Sequence, residues 1–192
     1  WPKSIREIKR GAFHGCKSLR HIQIPEGFTS INADVFSGCE ALTHVDIPDS
    51  VREIGDSAFS SCRNLVSIRL PQTLEKIGSS AFWYCDALKE INIPDGCTIG
   101  DNAFSECNAM LDENGFLILR NRVFTHRQKE KKDVLVIPDS VEHIENGVFF
   151  GWEANKHLQM NLRCPTWGTY GQAKVYGFAR SLIGQHGATV SF

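Results

Sequence analysis

Val51-Arg52-Glu53-Ile54-Gly55-Asp56-Ser57-Ala58-Phe59, followed by Cys62 and Leu65, decides the fold, because the same residue types return at a fixed interval on both sides of it. Ala12-Phe13, Val35-Phe36, Ala58-Phe59 and Ala81-Phe82 stand 23 residues apart, and Ala103-Phe104 follows after 22. Cys16, Cys39, Cys62, Cys85 and Cys107 each lie three residues beyond one of these phenylalanines. Leu19, Leu42, Leu65 and Leu88 lie three residues further still, and each opens a segment that ends in apolar-x-apolar-Pro: Ile22-Gln23-Ile24-Pro25, Val45-Asp46-Ile47-Pro48, Ile68-Arg69-Leu70-Pro71 and Ile91-Asn92-Ile93-Pro94. A second apolar pair precedes the next phenylalanine, at Ile5/Ile8, Phe28/Ile31, Val51/Ile54 and Leu74/Ile77. A short period of this kind is the mark of a stacked-repeat architecture.

Within each copy, alternation at the end of L-x-x-L-x-L makes a short strand with one face buried. The proline that follows has no N–H for a ladder and holds φ near −65°, so it ends the strand. One such coil cannot bury its own apolar edge, whereas coils stacked at the strand spacing bring like residues into continuous columns.

The unit C-x-x-L-x-x-I-x-I-P-x-x-V-x-x-I-G-x-x-A-F resembles the BspA-like leucine-rich repeats, also called the Treponema pallidum type. The resemblance runs strongly over residues 5–110 and returns from Ile137-Pro138-Asp139-Ser140-Val141 to Val148-Phe149. It implies a surface or secreted protein, mostly of bacteria, associated with adhesion and protein recognition. Localisation by resemblance is therefore extracellular or cell-surface. The expected fold class is an α/β repeat solenoid: a right-handed leucine-rich-repeat coil of short parallel strands, mostly β with short helical turns and a C-terminal capping helix.

The chain departs from the repeat in several places. Pro replaces the Asn that many leucine-rich repeats carry after the strand. The glycine of Ile-Gly stands at Gly55, Gly78 and Gly100 but gives way to Lys9, Asn32 and Glu145, so a positive φ is not expected there. Between Phe104 and Phe149 the Cys-x-x-Leu element is lost. Aligning Leu119-Arg120-Asn121-Arg122-Val123-Phe124 with Ile31-Asn32-Ala33-Asp34-Val35-Phe36 makes 116–138 a degenerate coil widened by the polar stretch from His126 to Lys132; a projecting hairpin is the alternative. Trp152 takes the Cys position of a last copy, Met160-x-Leu162 reads as a final strand, and a closing strand is expected near 188–192. Thr169 with Gln172 fits a capping box, and Ala173, Tyr176, Ala179, Leu182 and Ile183 share one helical face, which predicts a helix over 169–183. The expected organisation is a solenoid over 1–165, with its degenerate region at about 111–138, and a cap of the same domain over 166–192. Because Trp1-Pro2 falls inside the pattern, the chain is expected to be a fragment of a longer protein.

Composition narrows the function. With 21 basic and 22 acidic residues and a formal charge of −1, the chain has no net field for a polyanion, so nucleic acid is not an expected partner. No apolar run approaches the roughly 18 residues needed to span a bilayer, so membrane insertion is not expected. No G-x-S-x-G, H-E-x-x-H, P-loop or G-x-G-x-x-G motif is present, and the chain is not expected to be an enzyme or to need a cofactor. Five of the seven cysteines occupy one repeat position and read as small buried hydrophobes; Cys97 and Cys164 lie outside that column.

Recognition must lie in what varies. His21, Gln23, His44, Asp46, Ser67, Arg69, Glu90 and Asn92 hold the outward strand positions and are expected to form a mixed-charge concave face able to bind a protein or glycan, such as a host surface or matrix component. His21 and His44 fall at one repeat position, with Asp46 two residues on, a set that transition metals accept. The next copies carry Ser67 and Glu90 there, and the three read as solvated face residues with no metal. Trp83 and Tyr84, an adjacent aromatic pair, and the basic residues Arg127 and Lys129 are candidate extra contacts. The rival readings are a structural spacer or scaffold, and a targeting module of an enzyme whose catalytic part precedes Trp1.

Overall fold

The computed structural model of the chain describes residues 1–2, 4–5, 7–127, 134–137, 140–141, 143–144, 148, 159–162 and 189–191, with the strands 134–137, 159–162 and 189–191 described by their backbone. The chain divides into two compact units, Trp1–Met110 and Leu111–Phe192.

The first unit is a parallel β-solenoid. The expected strand after each leucine is present as β1 (His21–Gln23), β3 (His44–Asp46), β5 (Ser67–Ile68) and β7 (Glu90–Ile91). β1 pairs with β3, and β5 with β7, in parallel and without slippage: Ile22 faces Val45 and Ile68 faces Ile91. A second ladder, not anticipated from the sequence, runs through the other apolar pair. Here β2 (Ser30–Ile31), β4 (Glu53–Ile54), β6 (Lys76–Ile77) and β8 (Thr98–Ile99) form one four-stranded parallel sheet. Ile31, Ile54, Ile77 and Ile99 stand in register along it.

The columns meet in the core. Phe36, Phe59, Phe82 and Phe104 are fully buried, as are Leu42, Leu65 and Leu88. The rings of Phe13, Phe36, Phe59, Phe82 and Phe104 stack with centroids 5.3–5.5 Å apart. Cysteine suits its position because its thiol is small and can donate. The S–H of Cys85 donates to the carbonyl of Phe59 in the preceding coil at 3.2 Å, and that carbonyl also accepts the N–H of Cys62. Cys39, Cys62 and Cys107 repeat the bond to Phe13, Phe36 and Phe82. Cys16 differs from expectation: it is exposed. Cys97, left outside the column by its spacing, is buried in the core. Its N–H bonds Pro94 as those of Val51 and Leu74 bond Pro48 and Pro71, so it fills the Val/Leu position. The residue missing from the 22-residue interval therefore lies between Cys97 and Ile99.

The short helical turns expected in the coils are corrected. Each coil crosses the arc around its phenylalanine in consecutive turns, and among the described residues the one helical element is a 3₁₀ turn at Asn108–Met110. The cause is two left-handed residues per coil. Asp34, Ser57, Ser80 and Asn102 hold φ of 54–57° at one repeat position, and Gly38, Ser61, Tyr84 and Glu106 hold 58–73° four residues on. An α-helix needs an unbroken run near φ −63°, so it cannot propagate through them. Between them the amides alternate. The N–H groups of Ser57, Phe59 and Ser61 donate to Ser79, Ala81 and Trp83 of the next coil, whereas those of Ala58, Ser60 and Cys62 donate within their own coil. Gly55, Gly78 and Gly100 have no positive φ, as expected, but their role is close approach. A Cβ on Gly78 would stand 2.6 Å from the backbone of both Asp56 and Gly55.

In the second unit the hairpin alternative replaces the degenerate coil over 116–126. β9 (Phe116–Leu119) and β10 (Arg122–His126) are antiparallel and joined by Arg120-Asn121. Both linking residues have positive φ, 49° and 59°, the twist that a two-residue hairpin loop requires. β10 also pairs in parallel with β12 (His143–Ile144), which puts Val123, rather than Leu119, opposite Ile144. β11 (Val134–Ile137), β13 (Gln159–Leu162) and β14 (Thr189–Ser191) form a parallel sheet in the order β11-β13-β14. The last two match the expected final and closing strands. Trp152, Cys164 and the expected capping helix over 169–183 lie outside the described residues.

Candidate functional site

The strands β1, β3, β5 and β7 present one exposed face. Their inward residues are apolar because alternation sends every second side chain to the core. Ile22, Val45 and Ile68 are accordingly buried. All eight outward residues named from the sequence, His21, Gln23, His44, Asp46, Ser67, Arg69, Glu90 and Asn92, are exposed.

Three of them converge. Parallel register sets His21 directly opposite His44 and Gln23 opposite Asp46. The imidazoles stack with centroids 5.4 Å apart and planes 17° apart. His21 Nε2 lies 3.0 Å from Asp46 Oδ2, and His44 Nε2 lies 2.9 Å from Oδ1, so each carboxylate oxygen meets one ring. The hydrogen bond from His21, with that from His44, holds the Asp46 carboxyl below its usual range although the group is exposed. The three therefore act as one cluster on the face.

Beyond Asp46 the ladder opens. β3 is not hydrogen-bonded to β5, since the two form the ends of separate two-stranded sheets. At this step Gln23, Glu26, Asp46, Pro48 and Arg69 line a groove. It carries carboxylates, an amide and a guanidinium within one short stretch, which is a donor-and-acceptor set suited to a polar ligand. Ser67 and Glu90 pair across β5 and β7 on the far side of the step.

The remaining candidates lie elsewhere. Trp83 and Tyr84 are on the turn arc, not on the strand face. Tyr84 holds the left-handed position given to glycine in two other coils, with φ 58°. Its ring meets Trp83 edge-on at 4.5 Å, and the Arg63 guanidinium lies 5.6 Å from its centroid. Trp83 is 40% exposed, whereas the serine at the same position one coil earlier, Ser60, is buried. Arg63 was not singled out from the sequence, because its link to Tyr84 depends on the 23-residue stacking rather than on any local motif. Arg127 is exposed after β10 in the second unit, where its N–H bonds Gly115, and Lys129 lies outside the described residues. Among the described residues no helix is long and apolar enough to cross a membrane.

The coil geometry agrees with a known structure. Treponema pallidum leucine-rich repeat protein superposes with a TM-score of 0.54 at 23% identity, over 88% of this chain and 74% of that one. A leucine rich cell surface protein of Faecalibacterium prausnitzii matches at 26% identity with a TM-score of 0.46, over 78% of this chain and 45% of that one. The pneumococcal vaccine antigen PcpA matches at 18% identity with a TM-score of 0.47, over 78% and 47%. The chain thus spans less than half the length of the latter two. No curated protein matches by sequence. The family model for the BspA type leucine rich repeat region matches six copies over residues 1–110, more than half of the sequence, and the chain belongs to that family.

Proposed function

We propose that this chain is a non-catalytic macromolecule-recognition module of a cell-surface or secreted protein, serving adhesion or protein binding through the strand face of its solenoid. Family membership supports the module, since BspA-type repeats are protein-interaction scaffolds. The observation that carries the choice of face is the division of labour along β1, β3, β5 and β7. Ile22, Val45 and Ile68 are buried and alike, while the exposed Gln23, Asp46, Arg69 and Asn92 beside them differ in every coil. A scaffold that only spaced other domains would place no constraint on clustering, yet Asp46 both gathers His21 and His44 and lines, with Gln23 and Arg69, one groove. Ligand classes that fit are an exposed protein segment or a glycan, both of which offer donors and acceptors to such a mixed surface. Trp83 and Tyr84 supply a separate aromatic contact on the arc.

The test is an array of matrix proteins and glycans probed with the chain, followed by affinity measurement for each hit. The triple variant His44→Ala, Asp46→Ala, Arg69→Ala should lose binding while its melting temperature stays near that of the parent. Unchanged affinity in the triple variant would remove the strand face from consideration. Loss confined to Trp83→Ala would move the site to the arc.

A further inference from the structure

His21, His44 and Asp46 offer more than a polar patch. One atom from each, the two imidazole nitrogens and a carboxylate oxygen, lie within 4.8 Å of one another. Metal–nitrogen and metal–oxygen lengths of about 2.0–2.2 Å put the corners of a tetrahedral zinc shell about 3.3–3.6 Å apart. The Nε2 to Oδ separations of 3.0 and 2.9 Å are a few tenths of an ångström shorter, an adjustment that exposed side chains make by rotation. The backbone beneath them needs no change. His21 and His44 are locked opposite each other by parallel register, and Ile22 and Val45 anchor both strands in the core.

The chemistry of the set is selective. Two imidazoles with one carboxylate suit borderline divalent ions such as zinc, whereas magnesium and calcium prefer all-oxygen shells. Both rings turn the same nitrogen, Nε2, toward one carboxylate. Metal ligation requires neutral imidazole and ionised carboxylate. We infer that His21, His44 and Asp46 form a surface site for a zinc-class divalent transition ion, held by two Nε2 atoms and one carboxylate, with the outward coordination position open. The inference concerns the metal alone and stands whether or not the strand face also binds a macromolecule.

Chelator-treated, fully reduced protein titrated with zinc chloride in a calorimeter should bind one equivalent, and an excess of magnesium should not compete. In NMR spectra the imidazole signals of His21 and His44 should shift together. Loss of a hydrogen-bonding neighbour of a metal ligand already costs roughly 10- to 100-fold in affinity, so His44→Ala or Asp46→Asn, each removing a ligand, should weaken binding by at least about 100-fold. Both side chains are exposed, and an unchanged melting temperature in the metal-free variants separates loss of the site from loss of the fold. Cys16 is the exposed alternative ligand, and Cys16→Ser should leave the affinity unchanged. Cobalt substituted for zinc should show ligand-field bands without a thiolate charge-transfer band. Zinc binding that survives His44→Ala and Asp46→Asn, that disappears in Cys16→Ser, or that never saturates at one equivalent overturns the site.

Discussion

The turn arc and the strand face of the first unit obey opposite rules. On the arc, coil lies against coil through ring stacks, thiol-to-carbonyl bonds and amides passed from one turn to the next, so residue type repeats with little freedom. On the strand face the backbone carries the contact and the outward side chains meet solvent, so identity is free to change from His44 to Ser67 to Glu90 and from Gln23 to Asp46 to Arg69. Repetition records contact between coils, and variation records what the coils leave available.

Truncation in the middle of the stack is the strongest way to break that contrast. Phe59 is fully buried between Phe36 and Phe82, so Phe59→Ala should cost about 3–5 kcal/mol in denaturant unfolding, the range for a large core truncation. A loss within experimental error would mean that the arc is not the core.

The thiols sharpen the contrast in graded fashion. Burial pushes Cys39 up to about 11 and Cys107 up to about 12, and raises Cys62 and Cys85 as well. Because the thiolate is the nucleophile, Cys16 should react first with an alkylating reagent near pH 8, and these four only after denaturant is added. A thiol whose folded value is raised stabilises the fold below the unfolded value near 8.5 and loses that contribution as the pH climbs through the folded values. The melting temperature should therefore fall from about pH 9 upward, and serine at Cys39 and Cys107 should flatten the fall. Rapid native alkylation of the four would contradict the packing.

At the other extreme, exposed Arg69→Ala should change stability by no more than about 0.5 kcal/mol. A loss comparable to that of Phe59→Ala would erase the distinction between the two surfaces.

The sequence made the columns legible because Phe, Cys, Leu, Ile and Pro recur at offsets that only stacking satisfies. It hid the course of the arc. Asp34, Ser57, Ser80 and Asn102 adopt left-handed backbone without the glycine that would announce it. Gly78 is fixed by the backbone of the neighbouring coil, a tertiary cause with no local signature. Cys97 stands a full 23 residues after Leu74 but does not read as its counterpart, because a cysteine replaces the Val or Leu of the earlier coils. The hairpin at Arg120-Asn121 lacks the Asn-Gly pair that usually marks such a loop. At the candidate site, the meeting of His21 and His44 could be read by adding one period. The turning of both rings onto Asp46 depends on rotamers, which periodicity does not encode.

The alternation of amides along the arc also governs which changes in chain length the solenoid can absorb. Because neighbouring N–H groups serve different coils, inserting or deleting one residue between Ser57 and Cys62 would swap the task of every amide after it. A residue lost between Cys97 and Ile99 meets no such parity, and the Ile77–Ile99 pairing survives it. Length variation in this repeat is thus confined to the approach to the second ladder, while growth by a whole coil preserves the pattern everywhere.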